Sequence, residues 1–121
     1  MDNRFSPSGK RVYCPFNQAA VAAGATVDIS VRPQFLFHGD ALSIDDAVAA
    51  DFKVVALKVG VIPQQIANGE VSGKIFPTQN GPHLSLDVAD QGTDITLTVR
   101  NTNVAAKDFS AALFGDIVQA I

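Results

Sequence analysis

The side chains able to do chemistry are few in this 121-residue chain, and they are scattered. His38 precedes Gly39-Asp40 and His83 follows Gly81-Pro82, so each histidine sits in or beside a turn signal. Neither stands at ligand spacing from the other or from the single cysteine, Cys14, and no zinc pattern forms. A nucleophilic pair of Cys14 with either histidine has no local motif behind it. Between Tyr13 and Pro15, Cys14 reads as a half-buried structural thiol. The serines lack a nucleophile elbow, and the glycines make neither a P-loop nor a dinucleotide fingerprint. The expectation is no catalytic residue, no enzyme activity and no cofactor.

The acidic residues carry the one candidate site. Eleven of the twelve are Asp, with Glu70 the exception. Asp87, Asp90 and Asp94 flank the turn in DVADQGTD, and Asp45, Asp46 and Asp51 form a second cluster. Calcium takes clustered oxygen ligands in flexible loops, which makes Asp87, Asp90 and Asp94 the candidate ligands. The spacing is not that of an EF-hand, and Asp in turns is already explained by its side chain bonding to nearby backbone. No bound metal is therefore expected.

Composition narrows the partners. Net charge is −3, charged residues are 17% and hydrophobic residues 47%; about a quarter charged is usual. Sparse charge leaves neutral surface for neighbours to cover, which points to a homo-oligomer. No run of Lys or Arg exists to neutralise phosphates, so no direct nucleic-acid readout is expected. Tryptophan is absent and Tyr13 is the one tyrosine, while the eight phenylalanines fall mostly at inward strand positions. That weakens a stacking platform for sugars or bases. A lone cysteine allows no intrachain disulfide, and no apolar stretch approaches the ~20 residues of a membrane span. The segment MDNRFSPSGKR lacks the apolar core of a signal peptide, so the expected location is the cytoplasm, with no membrane partner.

What would position these residues is strand. Thr26–Arg32 alternates, with Val27, Ile29 and Val31 on one face; Ile95, Leu97 and Val99 repeat the pattern before Arg100. Phe52–Val59 is apolar on both faces, as in a central strand. Further strands are expected at Arg11–Phe16, around Phe35 and Phe37, at Leu42 to Ile44, at Val71–Phe76, at Leu84 to Val88 and at Phe109–Val118. His38-Gly39-Asp40, Asp90-Gln-Gly92 and PTQNGP over Pro77–Pro82 read as turns, the last with a hairpin-forming Asn80-Gly81. Asn17–Ala25 and Asn101–Asp108 read as loops. Ser43 to Asp46 has capping-box spacing ahead of a turn or two of helix over Asp45–Ala50, and Pro63–Gly69 suits a single helical turn. About eight short strands with regularly spaced turn signals predict an all-β, single antiparallel domain, a sandwich or a barrel. It would span residues 11–121, behind a flexible N-terminal arm at 1–10.

The stretches SVRPQFLFHGDALSIDDAVAADFKVVALKVG and TDITLTVRNTNVAAKDFSAALFG carry a pattern. A strand ends in Val99-Arg100, Asn101 opens a short loop, and Phe109 begins a terminal strand with Ala112 to Gly115. In this the chain resembles small β-sandwich virion proteins of bacterial viruses, capsid, decoration or minor structural subunits of jelly-roll type, and the resemblance implies a single antiparallel β-sandwich of that kind. The resemblance covers roughly the last three-quarters of the chain. It implies a structural protein that self-assembles or decorates a viral capsid, tube or filament, located in the virion after assembly in the host cytoplasm. Other virion proteins would then join the chain itself as partners. The contact elements expected are the arm, with Asp2, Arg4, Phe5 and Lys10, and the last strand, with Phe114, Ile117 and Ile121. Arg32 and Arg100, outward on their strands, are candidates for intersubunit pairs or simply solvated. The alternative is a small ligand- or carbohydrate-binding module, calcium-dependent if the Asp cluster is occupied.

Overall fold

The computed structural model describes residues 5–65, 69–76, 84, 86–90 and 92–120, with backbone alone at 5–10, 119 and 120. Two antiparallel sheets face one another, as the alternating sequence requires. One has the order β1-β8-β3, from β1 (Phe5–Val21), β8 (Lys107–Ala120) and β3 (Phe37–Ile44). The other has the order β2-β7-β4-β5, from β2 (Thr26–Val31), β7 (Ile95–Asn101), β4 (Phe52–Val59) and β5 (Ile62–Pro63), with β6 (Val71–Ser72) also on β4. The two similar segments ending in Arg32 and Arg100 are neighbours in this sheet, Val27 opposite Val99 and Ile29 opposite Leu97.

The core lies between the sheets. Phe16, Leu42, Ile44, Phe109 and Leu113 from one meet Ile29, Phe52, Leu57, Ile95, Leu97 and Val99 from the other, all buried. Phe52 and Phe109 cross edge-to-face with centroids 4.9 Å apart, a contact worth ~1 kcal/mol beyond its burial.

Several local expectations are corrected. Residues 5–10, expected within the N-terminal arm, belong to β1, with Phe5 paired to Ala120 and Pro7 to Val118 of β8. Asn17–Val21 belongs to the same strand, not to a loop. His38-Gly39-Asp40 does not turn; β3 runs through it with a register shift between Gly39 and Ala41. A bulge absorbs the extra residue that local turn chemistry suggested would reverse the chain. Asp45, not Ser43, caps α1 (Asp46–Ala49) by accepting from the Ala47 N–H at 3.0 Å. Gln64 and Gln65 follow β5 without helix, and a 3-10 turn over Gly73–Ile75 replaces most of the strand expected after Val71. Around Leu84 and Leu86 the chain runs beside β3 without forming a strand, Leu86 N–H donating to Gly39 O. Among the described residues there, Ala89 alone makes a bridge, with Phe37. The turn at Pro77–Pro82 lies outside the described residues.

Two glycines set how closely β3 and β8 approach. Gly39 and Gly115 are directly opposite. A Cβ on Gly115 would stand 2.1 Å from His38 O and 2.8 Å from Gly39 Cα. Only a residue without a side chain fits there.

Candidate functional site

The two outer faces of the sandwich differ, and the difference locates the candidate site. On the four-stranded path the outer face is polar and internally bonded. Ser30 and Thr96 share a hydrogen bond of 2.8 Å, Thr98 donates to Asp28 at 2.6 Å, and Arg32 donates to Asp94 at 2.8 Å. Arg100 holds Glu70 through two nitrogens at 2.8–3.1 Å. That hydrogen bond, with the charge of Arg100 and then Lys53, keeps the Glu70 carboxyl below its ordinary range despite some desolvation.

The outer face of β1-β8-β3 is of another kind. Cross-strand register puts Tyr13 beside Phe114 and Phe114 beside Ala41. The next row is Pro15, Ala112 and Ser43, and directly opposed side chains share a face. The Tyr13 and Phe114 rings lie 5.9 Å apart and are 65% and 37% exposed. Beside this ridge, Ala112, Ser43 and Ser110 floor a shallow depression of about 350 Å³. Arg11 bounds the face on one side, bonding both oxygens of Asp40 at 2.6 and 2.9 Å and approaching Asp116 at 3.5 Å. Ser110 donates to Asn17 at 3.0 Å on the other.

β1 is also the edge of its sheet, and the direction of its free backbone groups follows from the ladder. Asp45 N–H donates to Ser110 O, and Val118 N–H to Leu36 O. The even-numbered residues of β8 therefore bond towards β3, and Phe109, Ala111, Leu113 and Gly115 bond towards β1. Their partners on β1 are Gln18, Phe16, Cys14 and Val12. Arg11, Tyr13, Pro15 and Asn17 are left with N–H and C=O groups pointing away from the sheet. Pro15, which has no N–H to give, occupies one of these outward positions, as proline on an edge strand should.

Two clefts open between the sheets. One, of about 330 Å³, borders this edge and is lined by Val12, Cys14, Val31, Phe35, Phe37 and Ile117. Burial there pushes the Cys14 thiol above its usual value. The other, of about 390 Å³, lies across the sandwich between Leu42, Val54, Leu57, Phe76, Leu84 and Leu86, with Gln64, Gln65 and Glu70 at its rim. It sits where β4 carries an extra residue between Val54 and Ala56.

The sequence-derived candidates are partly gathered and partly dispersed. Cys14 faces the other sheet, whereas His38 lies opposite Asp116 in register with Arg11, on the outer face. The two do not converge; His83 lies outside the described residues. Asp94 bonds Arg32, Asp87 bonds Gln64 at 3.2 Å, and Asp90 is exposed. Among the described residues no three acidic, histidine or cysteine side chains are placed to hold a metal. Asp51 accepts from Asn103 at 2.7 Å. Phe114 is exposed and Ile117 half-buried at the edge cleft. Arg32 and Arg100 are both taken by carboxylates of their own chain. Asp2, Arg4, Ile121 and the side chains of Phe5 and Lys10 lie outside the described residues. Sequence reading missed Tyr13 and Phe35, the latter 61% exposed. For Tyr13 the signal was present, because Val12, Cys14 and Phe16 share the opposite parity. Among the described residues no helix is long and apolar enough to cross a membrane. No family model, curated protein or solved structure matches the chain.

Proposed function

We propose that this chain is a non-enzymatic structural subunit that assembles with copies of itself through the outer face of β1-β8-β3. The observation that carries the reading is the contrast between the outer faces. On one, Ser30 with Thr96, Thr98 with Asp28, and Arg100 with Glu70 bond one another; the other presents the Tyr13 and Phe114 rings and Pro15 to water. Exposed aromatic groups beside a floor of small residues form a ridge and a recess, as in interface cores. The likeness of the strand-and-loop pattern to small virion subunits supports placing such an assembly in a viral shell, tube or filament, or on its surface as decoration.

Light scattering coupled to size exclusion tests this. Self-assembly predicts a mass that rises with concentration above the 12.7 kDa of one chain, and Phe114→Asp lowers it. A wild-type mass of one chain at every concentration overturns the reading. The cleft lined by Leu42, Leu57, Phe76 and Leu86 favours one second reading, a module that binds a small apolar ligand. A ligand-dependent rise in Tm with the mass unchanged is its signature.

A further inference from the structure

We infer that the cleft between Leu42, Val54, Leu57, Phe76, Leu84 and Leu86 binds an uncharged, chain-like apolar molecule that ends in a hydroxyl group. The inference rests on the apolar-ligand reading above, names that ligand's chemistry, and is independent of assembly, because the cleft lies between the sheets.

The space arises where the sandwich leaves one edge open. β4 pairs with β5 at Lys58 and Val59 and with β6 at Lys53 and Val54. Among the described residues no strand covers Val55 to Leu57 between them. The register against β7 also shifts here, between Val54 and Ala56. Val54 and Leu57 both stay buried across the shift. Two glutamines stand in for a strand at Leu57. Gln64 N–H donates to Leu57 O at 2.8 Å, and Leu57 N–H donates to Gln65 Oε1 at 3.4 Å. Packed interiors seldom leave voids larger than a water molecule. This cleft holds about 390 Å³, within the ~300–1,000 Å³ of small-molecule sites.

The rim is held in place at two corners. Gln64 donates through Nε2 to Ile62 O at 3.1 Å and to Asp87 Oδ2 at 3.2 Å, and its Oε1 accepts from the Asp87 N–H at 2.9 Å. That ties β5 of one sheet to the segment running beside β3 of the other. At the second corner Arg100 holds both oxygens of Glu70. A rim fixed beforehand loses little freedom when a ligand enters.

Gln65 and Glu70 select the polar end of the ligand. The Gln65 Oε1 is taken by Leu57, and among the described residues its amide nitrogen has no partner, so it is left to donate. Glu70, its carboxyl held below the ordinary range by the bond to Arg100, is ionised at neutral pH and can only accept. A hydroxyl answers both, accepting from Gln65 and donating to Glu70. A carboxylate has no proton to donate and would meet the carboxylates of Glu70 and Asp87, while Arg100 and Lys53 do not line the cleft.

Competition against N-phenylnaphthylamine, an uncharged dye that brightens in apolar surroundings, tests this on the full chain at neutral pH. The competitors are octanol and octanoate, equal in chain length. Octanol should displace the dye at a concentration about ten-fold or more below that of octanoate, because like charges brought together are costly. Octanol should also raise Tm. Glu70→Gln removes the charge and should shrink the difference to about three-fold or less. Val54→Phe adds a ring to the wall and should weaken dye binding about ten-fold or more, with thermal unfolding showing the fold retained.

Equal displacement by the two competitors, or a difference that Glu70→Gln leaves untouched, overturns the inference while the apolar-ligand reading stands. Undiminished dye binding by a folded Val54→Phe chain puts the dye elsewhere and overturns the site. No displacement by octanol and no rise in Tm removes both.

Discussion

Asn101 is the fully buried polar side chain among the described residues, 0% exposed, and each of its groups is used. Its amide donates to Val21 O at 2.9 Å and to Ala105 O at 3.0 Å, and its Oδ1 accepts from the Asn103 N–H at 2.8 Å. Asn103 repeats the device by accepting from the Ala105 N–H at 3.0 Å. Two successive side-chain turns thus shape the loop between β7 and β8 and tie it to the end of β1. Asn101→Ala removes three hydrogen bonds at ~1 kcal/mol each and leaves buried groups short of partners. The expected loss is about 2–4 kcal/mol in urea unfolding followed by far-UV circular dichroism, or a fall in Tm on the order of 10 °C. Asn101→Asp should be worse at neutral pH, because it turns a carboxylate towards two carbonyl oxygens. Burial without a cation raises the folded pKa of the introduced group above its unfolded ~3.9. The folded state then binds the proton more tightly. The penalty is smallest below the unfolded pKa and grows as pH rises through the folded one. An alanine variant within about 0.5 kcal/mol of wild type, the range of ordinary surface changes, would refute the reasoning.

Gly115→Ala forces a Cβ against the backbone of His38 and Gly39, which cannot yield, and should cost about 3 kcal/mol. Gly39→Ala meets the flexible ends of Leu113 at 2.9 Å and Leu86 at 3.1 Å, and should cost about 1 kcal/mol; denaturation giving the reverse order contradicts the packing argument. Arg100 holds the Glu70 pKa down, so the pair's contribution is present above the unfolded carboxylate pKa and is lost as pH falls through the folded one. The stability gap between wild type and Arg100→Ala should therefore close on acidification, and a gap constant with pH speaks against the ion pair.

The sandwich was legible where one face of a strand is wet, because alternation then records burial directly. Thr26–Arg32 and Asp94–Arg100 became β2 and β7 to within a residue. Phe52–Val59, apolar on both faces, is β4 as expected. Phe109–Val118 was expected as a strand, and it lies within β8, the middle strand of its sheet. Local turn chemistry misled where pairing overrode it. His38-Gly39-Asp40 stays in β3 because His38 and Gly39 pair with Asp116 and Gly115 of β8, and the register shift before Ala41 takes up the extra residue. The outer face of the three-stranded sheet was hidden because only register reveals which residues of three strands share a surface. Tyr13 and Phe114 are a hundred positions apart, and no periodicity in a single strand links them.

The order of the strands along the chain also fixes when the fold can form. β1 and β3 both pair with β8, and β2 and β4 both pair with β7. Up to Asp94 the described strand pairs are those of β4 with β5 and with β6, two residues each. A chain emerging from a ribosome would therefore carry Phe16, Phe37 and Phe52 without a sheet to bury them until β7 and β8 arrived. Folding of this kind closes long loops before long-range pairs reward it, which belongs to the millisecond-to-second class. Until β7 and β8 are made, this stretch of nascent chain is in that sense all prologue, exposed to chaperones and to aggregation.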